Sequence, residues 1–470
     1  MDTAQHPLSL NHPGETLALV AHIFGFLPED SLVVIGLDGG VTCGHLRIDL
    51  PAGAGSAPPE HLEDFAGSIA DCLFGQEEEP SPGAALVLIL APEPAMPGRR
   101  PYAGLLAALR SAFRAARGTE VVQTWYAGGG HIRDYDCQEE TCCPYPGLAV
   151  GEELSRVLTA HPMFAGRDDV LGNDGALAHG GAPALGAPAD ILAWFETPPF
   201  SVGAAHRPGG AASVPSAAEI AQVEATVETH VRRFGELSQE GGRPPYLCVA
   251  AWDVALSRAE AGGSAEWLLE SPEQIAAMLV AVVDTGLRDT LIPMAAVDFD
   301  TAIYGYLAFC AGRRTGLEPE QAAQLIGGGG QASPEDLPAR VEDYERSFLG
   351  QTGRTPAWER IDALETVLRA VHPFAGAEAR SHILSLMGWV EWARGRGSVA
   401  GAYIDRCLEQ SPENQLAQLI GRYMDVGGIC PWAKVRRHSW SWNNRRWANT
   451  ARKFLPRGGN EQSGAPVMAC

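Results

Sequence analysis

Continuous apolar runs of strand length alternate with amphipathic helical patterns in the first part of the chain. The runs at 31–37 and 84–91 are apolar at nearly every position, which is typical of strands covered on both faces of a sheet. Patterns with one apolar face, at 60–74 and 102–117, predict helices between the strands. Helices that alternate with buried strands predict an α/β domain over residues 1–165.

Short glycine-containing turns join two pairs of predicted strands in this domain. Asp-Gly-Gly at 38–40 follows the first apolar run and precedes an alternating stretch at 41–50. Gly-Gly-Gly at 128–130 separates the strand patterns at 120–127 and 131–136. Strands joined by so short a turn run antiparallel, because a parallel pair needs a long crossover. We therefore predict a mixed sheet with flanking helices.

The composition and the periodicity change beyond the α/β domain. A Gly-, Ala- and Pro-rich stretch at 166–215 predicts a linker. Helical patterns then fill a middle region at 216–330 and a last folded domain at 331–432, where helices joined by short turns resemble tetratricopeptide-type hairpins. Residues 433–470 form a basic, Trp-rich tail that we expect to be disordered. The predicted architecture is an α/β domain followed by an α-helical C-terminal portion with tetratricopeptide-like helical hairpins.

The tripeptide Ser-Pro-Glu occurs three times in the helical portion, beginning at Ser271, Ser333 and Ser411. Serine is a favoured N-cap residue, proline is tolerated at the first helical position, and glutamate is stabilised by the positive end of the helix dipole. Each copy therefore predicts the start of a helix.

Length, composition and charge indicate a folded, acidic protein. The 470 residues exceed one ordinary core, so we expect two or three domains. The net charge of −22 favours solubility and argues against nucleic-acid binding by the folded body. The longest apolar run, at 84–91, is far shorter than the ~20 residues of a membrane span, and the N-terminal residues lack a secretory pattern. These observations predict a cytoplasmic protein without a membrane span.

Three of the ten cysteines lie within seven positions, at Cys137, Cys142 and Cys143. Thiols stay reduced in the cytoplasm, so such a cluster is more typical of a metal site, a redox site or a packed turn than of a stable disulfide. Zinc is the candidate cofactor, because a structural zinc site takes four Cys or His ligands. His131, six residues upstream, is the candidate fourth ligand. The spacing is not a C-x₂-C pair, and the alternative is a Pro-rich turn in which the thiols pack as small apolar groups.

A second candidate is a polar face on the alternating strand, where His45, Arg47 and Asp49 lie on one side. Such a trio can bind an anion or transfer a proton, with Asp49 orienting His45. The alternative, which we favour, is a plain surface ion pair between Arg47 and Asp49.

The third candidate is the tail, in which residues 434–457 contain eight Lys or Arg and no Asp or Glu. Basic side chains contact phosphates, and indole rings stack on bases or lie at a membrane interface. The residues that define this pattern are Arg436, Arg437, Trp440, Trp442, Arg445, Arg446 and Trp447. The alternative is docking of this basic segment onto the acidic body of the same chain.

The chain contains no nucleophile elbow, H-E-x-x-H, G-x-G-x-x-G or phosphate-loop motif. We therefore predict a non-enzymatic binding or regulatory protein, with the helical hairpins as the candidate surface for a protein partner. The first alternative is an enzyme with a site in the α/β domain, performing metal-assisted hydrolysis. The second is a protein that binds nucleic acid through the tail.

Four segments of the chain together resemble one protein family. They are GFLPEDSLVVIGL at 25–37, HLRIDLP at 45–51, the cysteine segment DYDC…CCPYPG at 134–147, and WVEWARGRGSVAGAYIDRCLEQSPENQLAQLI at 389–420. The family is an actinobacterial domain of unknown function, numbered 4192, and the resemblance extends over roughly residues 10–432. The resemblance implies a bacterial, intracellular protein with an α/β N-terminal part and a helical C-terminal part. It implies no activity, cofactor or catalytic residue.

Overall fold

The computed structural model divides into two compact units, formed mainly by Met1–Asp190 and by Ile191–Ala433 with Arg437–Asn444. The residues described are 10–24, 27–38, 41–50, 58–74, 82–160, 221, 225–229, 232–233, 246–262, 265–315, 337–426 and 428–443. We call residues 10–160 of the first unit the α/β unit, and the described residues of the second unit within 246–433 and 437–443 the helical unit. The predicted linker at 166–215 lies outside the described residues, and the predicted division of the helical region at residue 330 stays a prediction.

The α/β unit contains the predicted mixed sheet, which has six strands; the short β6 was not predicted. Its elements in chain order are α1 (Pro13–Phe24), β1 (Ser31–Asp38), β2 (Val41–Asp49), α2 (Pro59–Phe74), β3 (Ala84–Ala91), α3 (Ala103–Arg117), β4 (Glu120–Gly128), β5 (His131–Asp134), β6 (Leu148–Ala149) and α4 (Val150–Ala160). The strand order is β2-β1-β3-β4-β5-β6. Only β3 and β4 pair in parallel, and the other four pairs are antiparallel.

Both faces of the sheet are covered, which explains the apolar runs of β1 and β3. One face of these strands, including Leu32 and Val87, packs in a core with Ile69 of α2 and Leu109 of α3. The opposite face packs in a second core with α1, which contributes residues such as Leu17. Strands buried on both sides have no solvent-facing positions, so their sequences do not alternate.

The C-terminal region is mostly helical, as predicted. Its principal helices are α5 (Tyr246–Gly262), α6 (Pro272–Val283), α7 (Thr285–Ala296), α8 (Phe299–Thr315), α9 (Leu337–Ser347), α10 (Trp358–Val371), α11 (Ala377–Ala393), α12 (Gly397–Gln410) and α13 (Gln415–Asp425), followed by the short helices α14 (Pro431–Lys434) and α15 (Trp440–Asn443). Short 3₁₀ helices lie at Glu266–Glu270 and His372–Phe374. Helix α11 is buried over nearly its whole circumference and packs against α12 and α13. The tetratricopeptide-like character of these helices, and a partner bound there, stay predictions. Among the described residues, none of the helices combines the length and the apolarity that crossing a membrane requires.

Of the two Ser-Pro-Glu copies that the structure describes, one begins a helix and the other does not. Ser271 precedes α6 with Pro272 as the first helical residue, as predicted, but its side chain makes no capping hydrogen bond. Ser411 instead follows the end of α12, and the next helix begins at Gln415. The residue that caps this helix is Asn414, whose side chain accepts a hydrogen bond from the backbone of Ala417 at 3.1 Å. The prediction at Ser411 is therefore wrong, because a better-placed cap lies three residues later. The copy at Ser333 lies outside the described residues.

Candidate metal centre

The three clustered cysteines lie in the connection between β5 and β6, residues 135–147, which we call the cysteine loop. Asp134 ends β5 and turns the chain, since its Oδ1 accepts hydrogen bonds from the backbone amides of Asp136 at 2.8 Å and Cys137 at 3.0 Å. The carbonyl of Glu139 then accepts from the amides of Cys142 at 3.2 Å and Cys143 at 2.8 Å. These two tight turns bring the later cysteines back to the first.

The thiol groups of Cys137, Cys142 and Cys143 converge on one point. Their Sγ atoms all lie within 4.8 Å of one another, and those of Cys142 and Cys143 are 3.6 Å apart. Around an ion with ~2.3 Å bonds to sulfur, the ligand sulfurs are ~3.8 Å apart in a tetrahedral arrangement. The adjacent cysteines therefore already have the separation of two ligands of one ion, and the third needs a shift of about 1 Å or less.

Arg133 holds the cysteine loop closed from the middle of β5. Its Nη2 donates hydrogen bonds to the carbonyls of Cys137 at 3.0 Å and Cys143 at 2.9 Å. Its guanidinium carbon lies 3.8 Å from the ring centroid of Tyr145, which places a cation over an aromatic face. The side chain of Arg110 on α3 adds an ion pair to Asp136 at 2.5 Å. The loop is thus fixed to the sheet and to α3, so the cluster is preorganised.

The protonation of Cys143 argues against this residue as a reactive redox thiol. Burial raises the pKa of Cys143 to about 12, and hydrogen bonds to Cys137 and Cys142 add to the increase. The thiolate is the nucleophilic form of cysteine. Cys143 without a metal is therefore a neutral thiol near pH 7, which disfavours Cys143 as a redox nucleophile.

His131, the candidate fourth ligand, lies at the opposite end of β5 from the turn at Asp134. Three residues of strand separate these positions, which is about 10 Å. The imidazole Nδ1 of His131 is 3.0 Å from the carbonyl oxygen of Gly129. Within the described residues, the group of convergent donors contains the three cysteines and does not include His131.

The predicted polar face of β2 forms, with Arg47 and Asp49 paired to each other and His45 packed against an aromatic ring. The register pairs Ile35 with His45 and Ser31 with Asp49, so the trio shares the face that α1 covers. The His45 ring packs edge-on against Phe24 with centroids 5.6 Å apart. Arg47 pairs with Asp49 at 2.5 Å and donates from Nε to the hydroxyl of Ser31 at 2.9 Å. These contacts favour the ion-pair interpretation over an anion site or a proton relay.

The Asp49→Asn substitution is expected to lower the free energy of unfolding by less than about 1 kcal/mol, because exposed ion pairs contribute little. The Asp49 side chain is 77 % exposed, so water solvates it with or without its partner. Urea unfolding of the full chain measures the effect, with Glu120→Gln at the exposed Arg114 pair as the matched control. A loss well above that of the control would contradict a plain surface pair.

The first part of the basic tail contacts the helical unit. Trp440 donates from Nε1 to Asp362 at 3.0 Å, and the guanidinium carbons of Arg394 and Arg396 lie 5.3 and 4.6 Å from one of its ring centroids. Preceding it, the carbonyl of His438 accepts from the indole of Trp358 at 2.8 Å. These contacts favour docking on the same chain for this part of the tail.

The other tail residues of the predicted nucleic-acid site lie in the turn before α15 or outside the described residues. The carbonyl of Arg437 accepts from Asn443 at 2.9 Å, and Arg436 precedes it in the turn before α15. The side chain of Trp442, and all of Arg445, Arg446 and Trp447, lie outside the described residues. Nucleic-acid contact by the tail therefore stays a prediction.

These observations define an α/β protein with a preorganised three-cysteine loop and a helical C-terminal unit. The family model described as "Domain of unknown function (DUF4192)" matches residues 13–329 and 353–428, most of the chain. The chain belongs to this family, which confirms the resemblance found in the four sequence segments. None of the curated proteins or solved structures compared with the chain matches it.

Proposed function

We propose that this protein is a non-enzymatic, cytoplasmic binding or regulatory protein whose α/β unit holds a thiophilic metal ion on Cys137, Cys142 and Cys143. The observation that carries the proposal is the convergence of three thiol sulfurs within 4.8 Å on a short loop. Thiolates are the preferred ligands of soft and borderline metal ions. A reducing compartment keeps these thiols available for a metal.

The surroundings of the cluster support metal binding over simple packing. Cys137 and Cys143 are partly buried, whereas Cys142 is exposed. The loop thus provides two sheltered ligands and one that an ion can reach from solvent. Arg133 fixes the backbone at both sheltered cysteines, so binding needs little ordering of the loop. A turn whose cysteines served only as apolar filling would place all three in the core.

Metal content is expected to be about one thiophilic ion per chain in freshly purified, reduced, untagged protein. Inductively coupled plasma mass spectrometry measures it. The Cys142→Ser and Cys143→Ser variants should lose the metal, because each removes a thiolate ligand. Cys72→Ser is the matched control, since Cys72 is a free cysteine of the same unit outside the cluster, and it should keep the metal.

Two outcomes would contradict the proposal. The first is a wild-type protein that carries no metal and takes up none on addition, with all thiols titrating after denaturation. That outcome would make the cysteine loop a structural turn. The second is hydrolysis of an ester, peptide or nucleotide by the pure protein that disappears in Cys142→Ser. That outcome would favour the alternative of metal-assisted hydrolysis over a non-enzymatic role.

A further inference from the structure

The number and the type of ligands in the cysteine loop narrow the choice of metal ion. In the part of the chain that the structure describes, the convergent group of candidate ligands consists of three sulfurs and has no fourth Cys, His, Asp or Glu. A structural zinc site is closed by four protein ligands. Magnesium and calcium take oxygen ligands, which this group lacks. Zinc bound here would need water as its fourth ligand, whereas a soft ion that is complete with three sulfurs needs no further ligand.

We propose that the cysteine loop binds copper(I) in a three-thiolate site, an inference that rests on the function proposed above. Soft thiolate ligands select copper(I), which accepts two or three sulfur ligands without a fourth. Three sulfurs around an ion at ~2.3 Å are ~4.0 Å apart in a planar arrangement. That distance lies between the 3.6 Å of the Cys142–Cys143 pair and the 4.8 Å limit for the group.

Two arginines lie close to the ligands, while the loop also carries the exposed Glu139 and Glu140. Three thiols bind one copper(I) and release three protons, so the complex carries two negative charges, and no electron is transferred. Arg133 is a buried cation at the base of the loop, in contact with the carbonyls of two of the three ligands. The guanidinium group of Arg100 donates to the carbonyl of Asp136 at 3.2 Å. These two cations partly offset the charge that copper(I) leaves on the sulfurs.

The exposure of Cys142 determines how the ion enters and leaves. Cys137 and Cys143 are partly buried, so solvent reaches the cluster from the side of Cys142. An incoming thiolate from another molecule can replace Cys142 there while the two sheltered sulfurs keep the copper. The site is therefore suited to exchange copper(I) with other thiolate ligands, rather than to enclose it permanently as in closed structural zinc sites.

Anaerobic competition titrations of the full, reduced chain test this inference. Copper(I), kept reduced by ascorbate, is supplied as its coloured bicinchoninate complex, and Zn²⁺ is supplied in a parallel titration with a chromophoric zinc chelator. We expect the wild-type protein to withdraw one copper(I) and excess Zn²⁺ not to displace it. Cys142→Ser and Cys137→Ser should each weaken apparent copper(I) affinity more than about 100-fold, beyond the effect typical of outer-shell changes. Cys72→Ser should bind as the wild type does, and far-ultraviolet circular dichroism confirms the folding of each variant.

The outcomes separate this inference from the function on which it rests. Zinc that binds through the cluster and displaces copper(I) would overturn the copper assignment and leave the metal-binding function standing. Copper(I) uptake that is unchanged in both cluster variants would overturn the assignment of the ion to these cysteines. Failure of both ions to bind would overturn the copper inference and the proposed function together.

Discussion

Replacing Arg394 by methionine is expected to lower the free energy of unfolding of the helical unit by about 3–5 kcal/mol near pH 7, because breaking a buried ion pair leaves an uncompensated charge. The Arg394 side chain is 3 % exposed and contacts three carboxylates. Its Nη2 lies 2.5 Å from Asp362, and its Nη1 lies 2.7 Å from Glu365 and 2.6 Å from Glu391. Methionine fills a similar volume without charge, so it isolates the loss of the cation.

The loss of stability in the Arg394→Met variant should depend on pH, and the titration of Glu365 sets the direction of that dependence. Burial acts to raise the pKa of Glu365, but the guanidinium groups of Arg394 and Arg369 outweigh it and hold the pKa below its usual value. A carboxyl with a lowered folded-state pKa contributes stability above its unfolded pKa and loses it as the pH falls through the folded pKa. Without Arg394, burial dominates and the pKa of Glu365 rises. The difference between wild type and variant should therefore shrink as the pH falls from 7, first through the raised folded-state pKa of Glu365 in the variant and then through the lowered one in the wild type.

Urea unfolding at pH 7 and pH 4 measures both effects. Arg346→Met is the matched control, because Arg346 forms an exposed pair with Glu342 four residues earlier. Such a pair contributes about a few tenths of a kcal/mol to the free energy of unfolding. Equal losses in the two variants would show that the buried carboxylates do not need Arg394. A loss that grows toward low pH would show that Glu365 is not the group that Arg394 keeps ionised.

The sheet could be predicted from the sequence because its signals are local. Buried strands contain apolar residues at nearly every position, and the glycine turns of the hairpins lie beside them. The helices α1 and α4, which cover one face, were not predicted. Helix α1 is apolar around much of its circumference, with Leu17, Ala18, Val20 and Ala21 all buried. A helix enclosed in this way shows no clear amphipathic period, so its role depends on the sheet beneath it.

The candidate metal centre could be predicted only in part. The three cysteines are close in sequence, and turns were sufficient to bring their sulfurs together. His131 is also close in sequence, but it lies at the other end of β5 from Asp134 and is not in the group of three convergent sulfurs. Arg133 and Tyr145 were missed, because their contact depends on how the loop folds back over β5. Strand alternation gives the face of Arg133, whereas its partner depends on tertiary structure.

Replacing Gly147 by alanine is expected to lower the free energy of unfolding of the α/β unit by about 3 kcal/mol or more, since the strain and the clash act together. Gly147 has φ of 126°, which residues with a side chain rarely adopt. A Cβ atom there would lie 2.4 Å from the carbonyl oxygen and 2.7 Å from the carbonyl carbon of Ile132. Both atoms belong to the backbone of β5, so no side-chain rotation relieves the contact.

The same substitution should impair metal binding, because Gly147 fixes the end of the cysteine loop against the strand that carries Arg133. Displacing this end would separate Arg133 from the carbonyls of Cys137 and Cys143 and spread the three sulfurs. Urea unfolding and metal content are measured in parallel on Gly147→Ala and on Gly151→Ala. A Cβ at Gly151 has no atom within 4 Å, and alanine favours the helix there, so the control should keep full stability and metal. A Gly147→Ala protein that kept both its stability and its metal would show that the cysteine loop does not depend on the close contact between Gly147 and β5.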